Sequence, residues 1–247
     1  GAWDVDALAE AISPVGEGRD KVWSKRTQTL TAAAMTRLLE RGEATNERLR
    51  YFLTQAPTDE LAALVEGTEA SVFFGRAEEF TDSVRGGCGE ALKPYKYLHP
   101  DAGASAFSIR RFVSDESRKG WLWLPYTAEQ IKSLQPLLST WISTSIMAAL
   151  SMPPNEARRL WLVTDELASL GLVSNLTDAL DKGSAYGLCN ITGIQSLSQL
   201  HLHYGQHGAK ILLGCYGTTV ALRTPDYDTA TAISKRLGGE DVLREEE

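Results

Sequence analysis

Four short β-rich runs separated by helix-length segments fill the second part of the chain. This alternation restricts the fold more than any other feature. The runs are Trp121-Leu122-Trp123-Leu124, Leu160 to Thr164, Leu188 to Thr192 and Thr218 to Leu222. Strand–helix–strand alternation implies right-handed βαβ units and a mostly parallel sheet, an α/β arrangement. The first connecting helix is expected to start at Thr127, where Gln130 completes a capping box, and to run to about Leu150 with a bend at Pro136. The second spans Glu166 to Lys182 and stops at Gly183. The third falls between Ser196 and Leu213, and a last helix opens at Thr224-Pro225-Asp226 with proline at its first position.

Before about residue 115 the period is helical throughout. Thr27 to Arg41 carries Leu30, Ala33, Ala34 and Leu38 at helical spacing, with Gly42 as the stop. Thr45 is placed to cap the next helix and Thr58 the one after, while a further helix is expected from Glu69 to Arg85, ending at Gly86-Gly87. Lys93 to Ser105, with two prolines and Gly103, reads as a loop, and Glu240 to Glu247 as an acidic, frayed tail. A chain of 247 residues makes one large or two small domains. Its net charge of −7 argues against a broad nucleic-acid-coating surface and leaves room for a local basic stripe. The 3 cysteines are odd in number and far apart, so neither a disulfide framework nor zinc spacing emerges. No apolar run reaches the roughly 18 residues that span a bilayer, and the start lacks a signal-peptide layout.

Chemistry concentrates where the second β-rich run ends. Arg159-Leu160-Trp161-Leu162-Val163-Thr164 is followed at once by Asp165-Glu166. Apolar residues ending in Asp-Glu at a strand tip form the Walker B arrangement. There the Asp holds the water shell of Mg²⁺ and the Glu orients an attacking water. The phosphate cradle G-x-x-x-x-G-K-[ST] has no counterpart, because the chain contains no Gly-Lys dipeptide.

Several segments together resemble the type IV secretion coupling proteins, the DNA-pumping ATPases of conjugative plasmids. They are Phe107-Ser108-Ile109-Arg110-Arg111-Phe112, Leu134-Gln135-Pro136-Leu137-Leu138-Ser139-Thr140-Trp141, Arg158 to Leu170, Gly193-Ile194-Gln195-Ser196 and Leu222-Arg223-Thr224-Pro225. The similarity runs from about Trp3 to Gly238. It implies a RecA-like nucleotide-binding domain interrupted by an all-α domain: residues 1–106 would be the all-α domain and 107–247 the C-terminal half of the RecA-like one. Family members carry a P-loop and transmembrane helices ahead of this region. The resemblance also implies ATP and Mg²⁺ as ligands, single-stranded DNA, relaxase and secretion-channel components as partners, a hexameric ring, and a place on the cytoplasmic face of the bacterial inner membrane.

Each candidate residue has a functional and a structural reading. Asp165 and Glu166 are either the Mg²⁺-holding and water-activating pair or two carboxylates at the positive end of a helix. Gln195, just past a strand, is a γ-phosphate sensor or a loop amide, with Ser196 as a weaker neighbour. The resemblance places an arginine able to reach a neighbouring subunit's phosphate in the turn Asp181-Lys182-Gly183-Ser184-Ala185-Tyr186-Gly187, and the matching residue here is Ser184. Lys182 supplies charge without a planar fork, and Arg223 is an alternative cation acting in trans. His201, His203 and His207, with Cys215 nearby, are poorly spaced for one metal site. Trp23, Lys25 and Arg26 combine an aromatic ring with cations, a pairing suited to a single strand, or else form an ordinary charged helix face.

Two functions of different kind follow. One is an ATP-driven translocase with Asp165, Glu166 and Gln195 on one side of an intersubunit nucleotide and a cation from the next subunit. The other is a non-catalytic module that recruits protein or DNA. Without a phosphate cradle, this chain alone is expected to have little ATPase activity.

Overall fold

The computed structural model describes residues 2–15, 21–98 and 107–238. The helical first part comprises α1 (Ala2–Ile12), α2 (Lys21–Glu40), α3 (Asn46–Thr54), α4 (Thr58–Leu64) and α5 (Glu78–Leu92). The helical spacing of apolar residues explains their packing. Val5, Ala9 and Ile12 of α1, Leu30, Ala34 and Leu38 of α2, Leu49, Phe52 and Leu53 of α3, and Val84, Cys88 and Leu92 of α5 close on one core.

The second part contains α6 (Ile109–Ser114), α7 (Ile131–Leu150), β1 (Leu160–Thr164), α8 (Leu176–Lys182), β2 (Leu188–Thr192), α9 (Leu197–Cys215) and α10 (Tyr227–Leu237). β1 and β2 run parallel in register from Leu160 opposite Leu188 to Thr164 opposite Thr192. A second core gathers Ile142 and Ile146 of α7, Leu167, Leu170, Leu176, Leu188, Leu200 and Leu212. The long helix α7 serves both cores. Leu137 enters the first and Leu138 the second, as the ~100° step between consecutive helical residues requires. Trp141 packs against both. Among the described residues no helix is long and apolar enough to cross a membrane.

The structure departs from the sequence expectations at identifiable points. Of the four β-rich runs only two are strands. Trp121–Leu124 and Thr218–Leu222 have no strand partner among the described residues, and a strand requires a neighbour for its backbone N–H and C=O groups. Several of their large side chains stay exposed: Trp121 and Trp123 stack on each other at 5.8 Å, and Val220 and Leu222 are about 80 % open to solvent, while Leu124 packs against the second core. The helix expected over 69–85 is instead a 3-10 turn (Glu69–Phe73) followed by α5, which runs straight through Gly86 and Gly87. Packing decides this. A Cβ at Gly87 would lie 2.4 Å from Thr27 Oγ1, so the glycine lets α5 sit against α2 rather than ending it.

The helix expected over 166–182 is broken into a 3-10 turn (Leu167–Leu170) and α8, because Gly171 (φ 68°) and Asn175 (φ 63°) turn the chain left-handed between them. Thr45 caps α3 by accepting from Arg48 N as expected, but Thr58 is the first residue of α4 and Pro57 occupies the cap position. The Thr127–Gln130 capping box is present with both bonds made, one turn ahead of α7. In the last helix Asp226 is the cap and Pro225 precedes it. The stretch Lys93–Tyr97 within the expected loop is a 3-10 turn. The rest of that loop from residue 99, the boundary at 106 and the acidic tail from Glu240 lie outside the described residues.

Two buried acids tie the first core to pH. Burial pushes the Cys88 thiol up to about 11 and the Tyr95 phenol up to about 12. Both are neutral when folded, so their stabilisation is complete below the unfolded-state pKa and is lost as pH rises toward the folded value. Stability should therefore fall between pH 9 and 11. Cys88→Ala should lose less over that interval, by on the order of 2 kcal/mol. Urea unfolding of both proteins at pH 8 and 11 tests this, and equal losses would refute it.

Candidate functional site

The ends of β1 and β2 are locked together through their backbones. Gly193 N donates to Thr164 O at 2.8 Å, and Leu167 N donates to Gly193 O at 3.0 Å. The fit admits no side chain at residue 193, where a Cβ would stand 2.0 Å from Asp165 O. Two loops thus leave the carboxyl ends of adjacent parallel strands side by side, one carrying Asp165-Glu166 and the other Ile194-Gln195-Ser196. Ligands of open α/β sheets gather at such a place.

Helix α7 fixes the first loop from below. Gln135, Ser139 and Ser143 lie four residues apart on one stripe, and each donates to a carbonyl of the turn after Glu166: Ser169 (3.2 Å), Leu170 and Ser174 (3.0 Å). Ser174 in turn donates to Glu10 O of α1 at 3.2 Å, and Thr140 to Ala11 O at 3.1 Å. The turn behind Glu166 is held by both parts of the molecule.

Glu166 and Gln195 line one pocket of about 260 Å³ with Ala168, Ser169, Gln199, Leu202 and His203. Asp165 is exposed beside it and Glu166 is half-buried. One oxygen of Glu166 accepts from Ala168 N at 3.1 Å, so this carboxylate also caps the 3-10 turn, as the structural reading expected. Ser196 is the N-cap of α9, accepting from Gln199 N at 3.4 Å, which fixes the position of Gln195 immediately before the helix. Sequence reasoning missed Gln199, and weighed His203 only as a metal ligand and not as a wall of this pocket. The signal is the i, i+4 pair Gln199 and His203, which puts both on one flank of α9 just after Gln195.

The cations are elsewhere. Arg223 is exposed on the segment between α9 and α10 and does not line the pocket. Ser184 is exposed in a 3-10 turn (Gly183–Tyr186), and Lys182 is held by Asp178 at 2.5 Å. Among the described residues no group of three His, Cys, Asp or Glu side chains is placed to hold a metal ion.

On the helical part, Trp23 is 41 % exposed and Lys25 is open to solvent. The Arg26 guanidinium sits between two rings, 4.6 Å from Trp23 and 4.7 Å from Phe80, and Arg76 lies 4.9 Å from the Phe80 ring. Phe80 and Arg76 extend the aromatic–cationic cluster beyond the three residues marked by sequence.

Comparison with known proteins adds the following. Residues 2–247 match the sequence model of the type IV secretion-system coupling protein DNA-binding domain. Coupling protein TraD of Escherichia coli (strain K12) is 27 % identical over 249 residues, covering 99 % of this chain and 35 % of TraD. The coupling protein VirD4 of Bartonella henselae is 26 % identical over 208 residues, 81 % of this chain and 33 % of VirD4. The solved chain of the conjugative coupling protein TrwB (TrwBdeltaN70) superposes with a TM-score of 0.79 at 31 % identity, over 87 % of this chain and 52 % of that solved chain. TrwB has also been solved with ADP and Mg²⁺ and with a non-hydrolysable ATP analogue. The chain spans about a third of the curated relatives and about half of the solved TrwB chain.

Proposed function

We infer a function from one premise: this chain belongs to the family of type IV secretion-system coupling proteins. The proposed role is the cytosolic part of a conjugative, ATP-driven motor that recruits a relaxase–DNA substrate and moves single-stranded DNA into a secretion channel. In this reading residues 1–106 form an all-α domain and 107–247 the C-terminal half of a RecA-like domain. The assembly is a hexameric ring at the cytoplasmic face of the inner membrane.

One observation carries the catalytic part. Glu166 and Gln195 come from separate loops and line a single pocket at the carboxyl ends of two parallel strands. The donor set suits Mg²⁺ and ATP: the exposed Asp165 and half-buried Glu166 offer hard oxygens, and Gln195 offers an amide. Mg²⁺, when bound, neutralises charge on the transferring phosphate. Asp165 would hold the ion through water. Glu166 would orient the attacking water and accept its proton, and Gln195 and Ser196 would contact the terminal phosphate. Arg223, exposed and away from this pocket, is suited to act on a neighbouring subunit's nucleotide. Trp23, Lys25 and Arg26 would touch the strand. The alternative, a non-catalytic recruitment module, draws on the same Trp23–Arg26–Phe80 cluster, of which Trp23 is exposed.

The test compares the full-length protein with the 247-residue chain. The full-length protein should hydrolyse ATP and be stimulated by single-stranded DNA, and the chain alone should show little turnover. Full turnover by the chain alone, or complete indifference of the full-length protein to DNA, would overturn the proposal.

A further inference from the structure

Helix α10 buries one residue, Thr229, and grips α9 at both ends. Leu197 N, the first amide of α9, donates to Thr229 Oγ1 at 3.0 Å across 32 residues of sequence. At the other end the Arg236 guanidinium donates to Leu213 O at 3.2 Å. A helix start leaves its first amides without partners inside the helix, and a helix end its last carbonyls. α10 supplies one partner at each end. Asp226 holds Thr229 ready for this. It is the N-cap of α10, and its Oδ2 accepts both from Thr229 N at 2.9 Å and from the Thr229 hydroxyl. The hydroxyl hydrogen is thereby committed to the carboxylate, and the oxygen's lone pairs are left to accept the Leu197 amide. These two bonds, the hydroxyl's first, hold the Asp226 carboxyl below the usual carboxylate range. Asp226 N in turn donates at 3.3 Å to the hydroxyl of Thr224, the residue after Arg223.

We propose that Asp226 and Thr229 are positioning residues for Gln195, acting through the first amide of α9. The proposal rests on the nucleotide reading of the Glu166–Gln195 pocket and adds the device that sets its amide side. Gln195 precedes Leu197 by two residues, with the cap Ser196 between them. Ser196 accepts from Gln199 N at 3.4 Å, beyond the usual range of an N–H···O bond, whereas Thr229 takes Leu197 N at 3.0 Å. The firmer tie at this helix start therefore comes from α10. On its other side Gln195 follows Gly193, whose N–H is fixed to Thr164 O at 2.8 Å. Gln195 thus sits between two backbone anchors, and the second depends on a side chain outside the pocket. The same relay joins the Gln195 loop to the turn that carries Arg223. The cation suited to a neighbouring subunit's nucleotide and the amide suited to its own are linked through one hydroxyl.

The experiment uses Thr229→Val, which keeps the shape of the side chain and deletes the hydroxyl, and Thr229→Ser, which keeps the hydroxyl. Both are checked for native circular dichroism. In the 247-residue chain the Leu197 amide, followed by NMR hydrogen exchange, should exchange about two- to tenfold faster in Thr229→Val, the net contribution of one hydrogen bond. Thr229→Ser should exchange near the wild-type rate. In the full-length protein Thr229→Val should lower the kcat of ATP hydrolysis about tenfold or more and leave KM within about twofold, and Thr229→Ser should recover most of the loss. In a Gln195→Ala background the valine substitution should lower kcat by less than about twofold, because the side chain it acts through is already gone. Lys235→Ala, exposed on the same helix, should change none of these. Wild-type exchange at Leu197 in Thr229→Val would overturn the relay whatever the activity. A full loss in the Gln195→Ala background, or equal losses in the valine and serine variants, would overturn the link to Gln195 while the pocket reading survives. If the wild-type full-length protein hydrolyses no ATP, or Gln195→Ala keeps full turnover, the pocket reading and this role fall together.

Discussion

Replacing Glu166 with Gln in the full-length protein is expected to lower ATP turnover by about 10²–10⁴-fold, the usual contribution of a positioned general base. Nucleotide binding should change little. The choice of glutamine follows from the structure. Glu166 has two separable duties, because one of its oxygens accepts from Ala168 N and caps the turn that Gln135, Ser139 and Ser143 hold from below. An amide oxygen can keep that cap, so the substitution removes the negative charge and basicity while leaving the turn in place. Glu166→Ala removes both and should in addition destabilise the protein by about 1 kcal/mol, the typical value of a lost cap. The pair of variants therefore separates the duties. Normal turnover by Glu166→Gln would reduce Glu166 to a cap and leave the pocket without a base.

The Asp-Glu pair and the Gly-Ile-Gln-Ser segment were legible in sequence because each follows an apolar run, and the structure brings both to the same strand ends. Their neighbours were harder to read. Gln199 and His203 enter the pocket only through the periodicity of α9, which Gly205 interrupts with φ 67° two residues after His203. The hydroxyls of Ser139 and Ser143 look like ordinary helix residues until the turn they hold is folded above them. The failed strands have the opposite cause. Trp121 to Leu124 and Thr218 to Leu222 have strand-like composition, but composition supplies no hydrogen-bonding partner. Trp161, Val163 and Ile191 are more than half exposed on one face of the sheet, with exposures of 55 %, 52 % and 52 %, so no described element packs over that face. Gly86-Gly87 has the local propensity of a helix stop. The contact with Thr27, some sixty residues away along the chain, overrides it.

Gly193→Ala should disable the site without altering any side chain that would react. The added Cβ would lie 2.0 Å from Asp165 O and 3.0 Å from its carbonyl carbon, both backbone atoms that cannot rotate away. The two bonds that lock the strand ends, Gly193 to Thr164 and Leu167 to Gly193, pass through the same residue. The loops must separate to admit a methyl group, at a cost of roughly 3 kcal/mol. Separation also moves Gln195 relative to Glu166. Misplacement by about 1 Å can cost about 10²-fold in rate, so the full-length variant should lose most of its turnover even under conditions where it remains folded. Gly86→Ala is the matched control: it sits inside α5 with nothing within 4 Å of its added Cβ, and should stabilise by about 0.5–1 kcal/mol. Urea midpoints of the two variants should move in opposite directions. A Gly193→Ala protein with the wild-type midpoint and normal turnover would mean that the two loops are not held together through residue 193, and the shared pocket of Glu166 and Gln195 would lose its physical basis.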